Sequence, residues 1–353
     1  MRRIVFAYPG DLSALTGGYG YDRRLIAGLE ALGHPVTPLH LGDGFPEPSP
    51  GEVGEALARL AAVPHDAVLL VDGLAHGALP ADGLAGVAAP VVALVHHPLA
   101  LETGVDPARA PDIAATERAA LARAAAVVVT SQHTRDILLA DYGVPAEAIT
   151  VAIPGLDEAW RQADARRPTD PPLIVAVGSV LPRKGHDVLV AALEGLVDLD
   201  WTLRIAGGLD RAPATTEALR SAIAASGLAE RVTLLGEAPE DTVRALYRNA
   251  TLFALPSRYE GFGMVFAEAM GAGLPVVACR AGAVPQVVPP EAGILVGIDD
   301  VPALSAAIRR VLTEPDLAAS LSEGAVRASS RFHGWDGTAR IVSAAIGRLE
   351  GPS

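Results

Sequence analysis

The chain reads as an α/β protein built from two Rossmann-like domains that face each other across a deep cleft, and three features predict it. Short apolar runs recur along the sequence, longer Ala-rich amphipathic segments separate them, and one polar, proline-bearing interval divides the rhythm in two. Apolar runs without polar alternation suit parallel strands covered on both faces. Repeated β-α alternation makes doubly wound parallel sheets.

The elements follow in order. Ile4–Ala7 is the first strand, and the helical pattern Tyr21–Leu32 is ended by Gly33. Ala67–Val71, Val91–Val95 and Val127–Val129 are further strands, with a helix over Pro107–Ala124. The interval Asp157 to Pro172 (DEAWRQADARRPTDPP) lacks periodicity and reads as the linker between domains 1–156 and 173–330. The rhythm then restarts with Leu173–Val177, Trp201–Ala206, Val232–Leu235, Leu252–Leu255, Pro275–Ala278 and Ile294–Val296. Ligands of open α/β sheets bind outside the carboxyl ends of the strands, so two such sheets place a site in the cleft between them.

Composition narrows the function classes. A length of 353 residues fits about two domains. Asp and Glu outnumber Lys and Arg by 41 to 28, and the formal charge of −13 argues against nucleic acid or anionic membrane as a general partner. Basic residues on the first long helix, Arg23 and Arg24, are offset by Asp22 and Glu30, so membrane association is expected to be weak or absent. The single cysteine, Cys279, excludes an intrachain disulfide and fits a reducing compartment. The apolar run behind the opening arginines is too short for a signal peptide, and no window approaches 18 uninterrupted apolar residues, so the expected location is cytoplasmic.

The stretch PSRYEGFGMVFAE, residues 256–268, carries the sharpest chemistry. Glu260 falls on a strand-to-helix loop and Glu268 about one turn into the helix Met264–Gly271, with Gly261, Phe262 and Gly263 between them. Glycines there let backbone approach a ligand, and the open N–H groups of Met264, Val265 and their neighbours at a helix start favour an anion such as a diphosphate. The carboxylates would then grip hydroxyls on either side of that anion. Alone, such a pair equally fits a capping glutamate and a solvated helix glutamate.

Four ordered stretches together resemble the retaining glycosyltransferases of the GT-B fold, family 4 type. They are Thr16-Gly17-Gly18-Tyr19-Gly20 after the first strand, Val177 to His186 (VGSVLPRKGH), Ala206-Gly207-Gly208, and the E-x₇-E region continuing as AMGAGLPVVACRAGAVPQVV. Phe332 and Trp335 precede a C-terminal segment, 331–353, similar to the helix that crosses back to the first domain in that family.

The resemblance implies transfer of a sugar from a nucleotide-diphosphate sugar to a hydroxyl acceptor, with no metal and no cofactor. It assigns Lys184 to the diphosphate, Glu260 to the sugar, Glu268 to the ribose, His96 to the neighbourhood of the transferred sugar, and the Gly17-Gly18 loop to donor phosphates and acceptor. Where the family usually supplies an arginine after the strand-end glycine, this chain has Ser179; Arg183 either takes that place or is a solvated surface residue. A positioned cation beside a diphosphate stabilises charge that grows as the leaving group departs. His97, Ser131, Gly207 and Gly282 are further cleft positions, although Ser131 and Thr134 equally suit helix caps. No Asp-x-Asp closes a strand in the nucleotide region, so no metal clamp is signalled.

Two other classes share the fold: an epimerase acting on nucleotide sugars without acceptor, and a binding module without turnover. The Glu260/Glu268 spacing with Arg183-Lys184-Gly185 favours transfer. A nicotinamide oxidoreductase is disfavoured, because the glycines after the first strand do not fit G-x-G-x-x-G.

Overall fold

The computed structural model describes residues 1–102, 105–161 and 166–349. They form two compact units, one of Met1–Gly155 with the C-terminal segment from Gly334, the other of Leu156–His333.

The first unit holds six parallel strands: β1 (Ile4–Tyr8), β2 (Val36–His40), β3 (Val68–Asp72), β4 (Val91–Val95), β5 (Ala126–Val129) and β6 (Ile149–Val151), in the order β2-β1-β3-β4-β5-β6. Side chains of a strand alternate between faces, and here both faces are dry. Ile4, Phe6, Val68, Leu70, Val92 and Leu94 pack under the helix Gly17–Ala31. The intervening Val5, Ala7, Leu69 and Val71 pack against Leu60, Leu79 and Leu84 on the other side. The helix Trp335–Gly347 joins the first cluster through Ala339, Val342 and Ile346, and Thr338 Oγ1 donates to the Ile153 carbonyl at 2.9 Å. Of the C-terminal segment, residues 350–353 lie outside the described residues.

In the second unit, β7 (Leu173–Val177), β8 (Thr202–Ala206), β9 (Val232–Gly236), β10 (Leu252–Leu255), β11 (Val276–Cys279) and β12 (Gly293–Val296) are again all parallel, in the order β12-β11-β10-β7-β8-β9. β7, the first strand of this unit along the chain, lies between β10 and β8, so the order of strands across the sheet reverses there. Such a switch point leaves a crevice at the carboxyl ends of the two central strands. The loops that follow β7 and β10 are the two that carry Lys184 and Glu260.

Two of the twelve strands among the described residues are not among the apolar runs. β2 is an edge strand with Pro38 inside it, and β6 has only three residues. Pro suits an edge because it has no N–H to donate to a neighbouring strand. The interval 157–172 also differs from a free linker, since it falls within the second unit. Arg161 donates to the carbonyls of Ser329 and Phe332, and Arg166 to those of Ala250 and Gly273. Guanidinium groups with several fixed donors tie that segment down; its residues 162–165 lie outside the described ones.

The turn between β7 and the helix His186–Glu194 depends on Gly185. Its φ of +67° is left-handed, and a Cβ there would stand 2.1 Å from the Pro256 carbonyl oxygen. Both the backbone strain and the overlap fall on the contact between the two central loops. Gly185→Ala is therefore expected to cost more than about 2 kcal/mol, since left-handed strain alone is worth roughly 1–2 kcal/mol. A thermal melt checks it: the midpoint should fall by several degrees, and an unchanged midpoint contradicts the packing.

Candidate active site

At the β7/β10 crevice one carboxylate collects three donors. Glu260 is 5 % exposed. Its Oε1 accepts from Lys184 Nζ at 2.7 Å and Ser257 Oγ at 2.6 Å, while Arg183 Nη1 stands 3.5 Å from Oε2. Burial pushes this carboxyl up, but the charges of Lys184 and Arg183, with the hydrogen bonds from Lys184 and Ser257, outweigh burial and hold it below its ordinary value. The group is thus an ionised, fixed hydrogen-bond acceptor at neutral pH.

Both loops are pinned behind that cluster. The Arg258 N–H donates to the Arg183 carbonyl at 2.7 Å, and the Arg258 guanidinium pairs with Asp187 and Asp299 at 2.7 Å each. Asp187 opens the helix that follows Lys184. The adjacent His186 is buried, which lowers its pKa to about 4. It is therefore neutral at pH 7, and its Nε2 lies 3.2 Å from the Gly178 carbonyl, bracing the strand-end glycine. Gly207, just past β8, lies against the Gly178 and Ser179 backbone, and Ser179 is partly exposed beside them. Arg183 is turned inward to Glu260 and the Tyr259 carbonyl rather than out to solvent.

Beyond Glu260 the chain turns through Gly261 and the buried Phe262, whose ring meets Phe332 edge-on at 6.1 Å. Gly263 then starts the helix Met264–Gly271 in a left-handed conformation, φ +90°, with no side chain capping that end. Met264 and Val265 form its first turn, and Glu268 sits one turn further, partly buried. The Gly282 backbone lies so close to Glu260 that a Cβ would come within 2.2 Å of the Glu260 carbonyl oxygen. The second unit therefore brings together Gly178, Ser179, Arg183, Lys184, Gly207, Glu260, the glycines 261 and 263, and Gly282. Donors from Lys184 and an open helix end, which attracts anions, face the same loop region as a fixed acceptor.

The first unit carries its own polar cluster. Thr16 caps the helix Gly17–Ala31 by accepting from the Tyr19 N–H. A Cβ on Gly18 would lie 3.7 Å from His96 Cδ2, so the absence of a side chain keeps that face of the imidazole open. His96 follows β4, with Nε2 3.1 Å from Asp22 Oδ1 and 3.7 Å from Asp72 Oδ2. His97 points elsewhere, to Glu102 at 2.8 Å. Ser131 caps the helix Gln132–Asp141, and its neighbours Thr130 and Thr134 donate to the His96 carbonyl. Ser131 is thus a cap that helps to seat His96.

Asp22 and Asp72 are functional candidates that sequence reasoning missed. Asp22 counted there as a surface charge on the first helix, yet it is fully buried. The signal was its spacing: Asp22, Leu25, Ile26 and Leu29 form one helical stripe, and an acid on an apolar stripe is unusual. Asp72 likewise ends a wholly buried strand. Arg23 and Arg24 of the same helix are engaged too, Arg23 with the Leu12 and Ala14 carbonyls and Arg24 over the Trp335 ring. Among the described residues, no helix is long and apolar enough to cross a membrane.

The chain matches two family models, "Glycosyltransferase Family 4" over residues 20–160 and "Glycosyl transferases group 1" over residues 158–327. It is 35% identical over 228 residues to a D-inositol 3-phosphate glycosyltransferase of Acidothermus cellulolyticus, covering 60% of this chain and 50% of that one. It is 30% identical over 333 residues to an MMP alpha-(1->4)-mannosyltransferase of Mycolicibacterium hassiacum, covering 87% and 77%. The chain spans about half the length of the first of these relatives. Among solved structures, Anabaena HepE in complex with UDP and glucose superposes with a TM-score of 0.77 at 20% identity, covering 99% of this chain and 100% of that one.

The ion pair at the β7/β10 crevice has a pH signature. Because the folded Glu260 pKa lies below its ordinary 4.5, its contribution to stability is present above that value and lost as pH falls through the folded pKa. Lys184→Met removes the largest favourable charge and leaves burial dominant. Carboxyl ¹³C titration should then show Glu260 protonating at higher pH than in the wild type. An unmoved titration would mean that Lys184 does not hold the carboxylate.

Proposed function

Because the chain belongs to the group 1 glycosyl transferases of the family 4 type, we propose that it moves a sugar from a nucleoside-diphosphate donor to a hydroxyl acceptor, with retained anomeric configuration and without a metal ion. The observation that carries the reading is the meeting of Lys184, Glu260 and the uncapped helix start at Gly263 on the two central loops of one parallel sheet.

Each group then has a task. Lys184 and the first-turn N–H groups at Met264 and Val265 receive the diphosphate, matching donors to oxygens that gain charge as the bond to C1 breaks. Glu260, ionised and fixed from three sides, accepts hydrogen bonds from sugar hydroxyls, and Glu268 does so from the ribose. His96 is assigned to the sugar being moved. The acceptor oxygen bonds to C1 on the face that the diphosphate leaves, and a diphosphate oxygen takes the acceptor's proton. Bonds and charges balance without a protein nucleophile.

The structural relative HepE is described with UDP and glucose, which supports a nucleoside diphosphate and a hexose as the donor class. An epimerase would need no acceptor, whereas the relatives named here are transferases, which favours a hydroxyl acceptor. The acidic balance of the chain fits a cytoplasmic protein with little hold on anionic lipid.

Incubation with a panel of nucleotide sugars and polyol or sugar acceptors tests the reading. Free nucleoside diphosphate should accumulate only when an acceptor is present, and the product should keep the donor's anomeric configuration by NMR. An epimerised donor without acceptor, or binding without turnover across the panel, would overturn it. Within the same assay Arg183→Ala is expected to lower kcat roughly tenfold or more, the scale of one lost transition-state hydrogen bond to a charge. Near-normal turnover would leave Arg183 as a support for Glu260 alone.

A further inference from the structure

The polar cluster of the first unit poses a charge problem. Asp22 and Asp72 are 0 % and 1 % exposed, and they come from different elements, the helix Gly17–Ala31 and the end of β3. With His96 Nε2 they offer one polar atom each within 4.8 Å of one another. Asp72 Oδ1 accepts from the Leu74 N–H at 2.7 Å, and Asp22 Oδ1 lies 3.1 Å from His96 Nε2. Asp22 Oδ2 is buried with no donor reaching it if both acids are ionised.

Two ionised carboxylates side by side in a dry site repel, which favours a proton held between them. Burial first, and then the charge of Asp22, push the Asp72 carboxyl far above the ordinary aspartate range. For His96 burial works the other way, yet Asp22, Asp72 and Glu102 outweigh it and raise the imidazole. Among the described residues, Asp22 and Asp72 face His96 directly, Glu102 acts on it through its charge, and the ring of Tyr21 meets it edge-on at 5.2 Å. Tyr21 itself is committed, its hydroxyl donating to the Ala152 carbonyl at 2.8 Å.

We propose that Asp72 is a protonated positioning residue that donates its hydrogen to Asp22, so that Asp22 alone carries the charge fixing His96 as an Nε2–H imidazolium. The imidazolium presents its remaining face beside Gly18, as a fixed cation rather than a general base. Its value to glycosyl transfer rests on the function proposed above; its charge state does not.

The test starts from the ligand-free wild type, which needs no substrate. Imidazole ¹⁵N spectra, with His96 identified by its loss in His96→Asn, should show both ring nitrogens protonated at pH values above the usual 6.5. Asp22→Asn should shift the His96 titration down by at least one unit, about tenfold in its protonation equilibrium. Asp72→Asn, which keeps a donor to Asp22, should leave it within about half a unit, because no charge has been removed. A wild-type His96 that is neutral at pH 6.5, or an Asp72→Asn shift equal to that of Asp22→Asn, overturns the proposal. So does a chelator-reversible change of the His96 signals on adding Zn²⁺ at stoichiometric concentration, which would put a cation where the shared proton is assigned. If the variants do not fold, the wild-type carboxyl ¹³C spectrum still decides, because Asp72 should keep its proton at pH values where an ordinary aspartate is ionised, and an ionised Asp72 there overturns the proposal. If turnover is found, the alkaline limb of kcat/KM should move down with Asp22→Asn, an effect that a purely structural role would not produce.

Discussion

The constraint on which the rest depends is the cost of keeping a buried carboxylate charged. Glu260 is almost without solvent, and an ion taken from water loses several kcal/mol even after the protein relaxes. Opposite charges 2.7 Å apart attract by roughly 6 kcal/mol at an effective dielectric of about 20. The two magnitudes are of the same order, so ionisation is secured only if the cation is held in place. That explains the architecture around it: Gly185 to allow the turn, Arg258 to tie that turn to the next loop, and Gly282 to admit the Glu260 backbone.

The two units answer the same electrostatic problem differently. In the second, lysine and arginine neutralise the carboxylate and leave an acceptor beside donors. In the first, two carboxylates share one imidazole whose strongest charged neighbours are acids, and by our proposal a proton makes up the difference. Each arrangement sits at the carboxyl ends of parallel strands, where strands deliver side chains to a common edge and helices begin. The sheet order itself selects which loops meet, β7 with β10 and β1 with β3.

Much of this was legible in the sequence because the relevant signals are local. Runs rich in apolar residues marked ten of the twelve strands among the described residues, and the loop positions of Lys184 and Glu260 followed from strand ends and glycines. What escaped was set by packing. Asp22 looked like a surface charge because acids almost always are, and only the burial of its helical stripe against β1 and β3 changes that. The edge strand β2 hid behind Pro38, and β6 was too short for a periodic signal. The interval 157–172 read as a linker between domains because its anchors are arginine contacts to carbonyls far along the chain, which no local pattern records.

The proposed function gives the diphosphate to Lys184 and the sugar to Glu260. Calorimetric affinities of a matched pair, a nucleoside diphosphate and the same nucleotide carrying its hexose, measure that division directly when wild type and Glu260→Gln are compared. The substitution should weaken the nucleotide sugar while the diphosphate alone binds as well or better, because Lys184 is released from its partner. Equal weakening of both ligands, or no change in either, would contradict it.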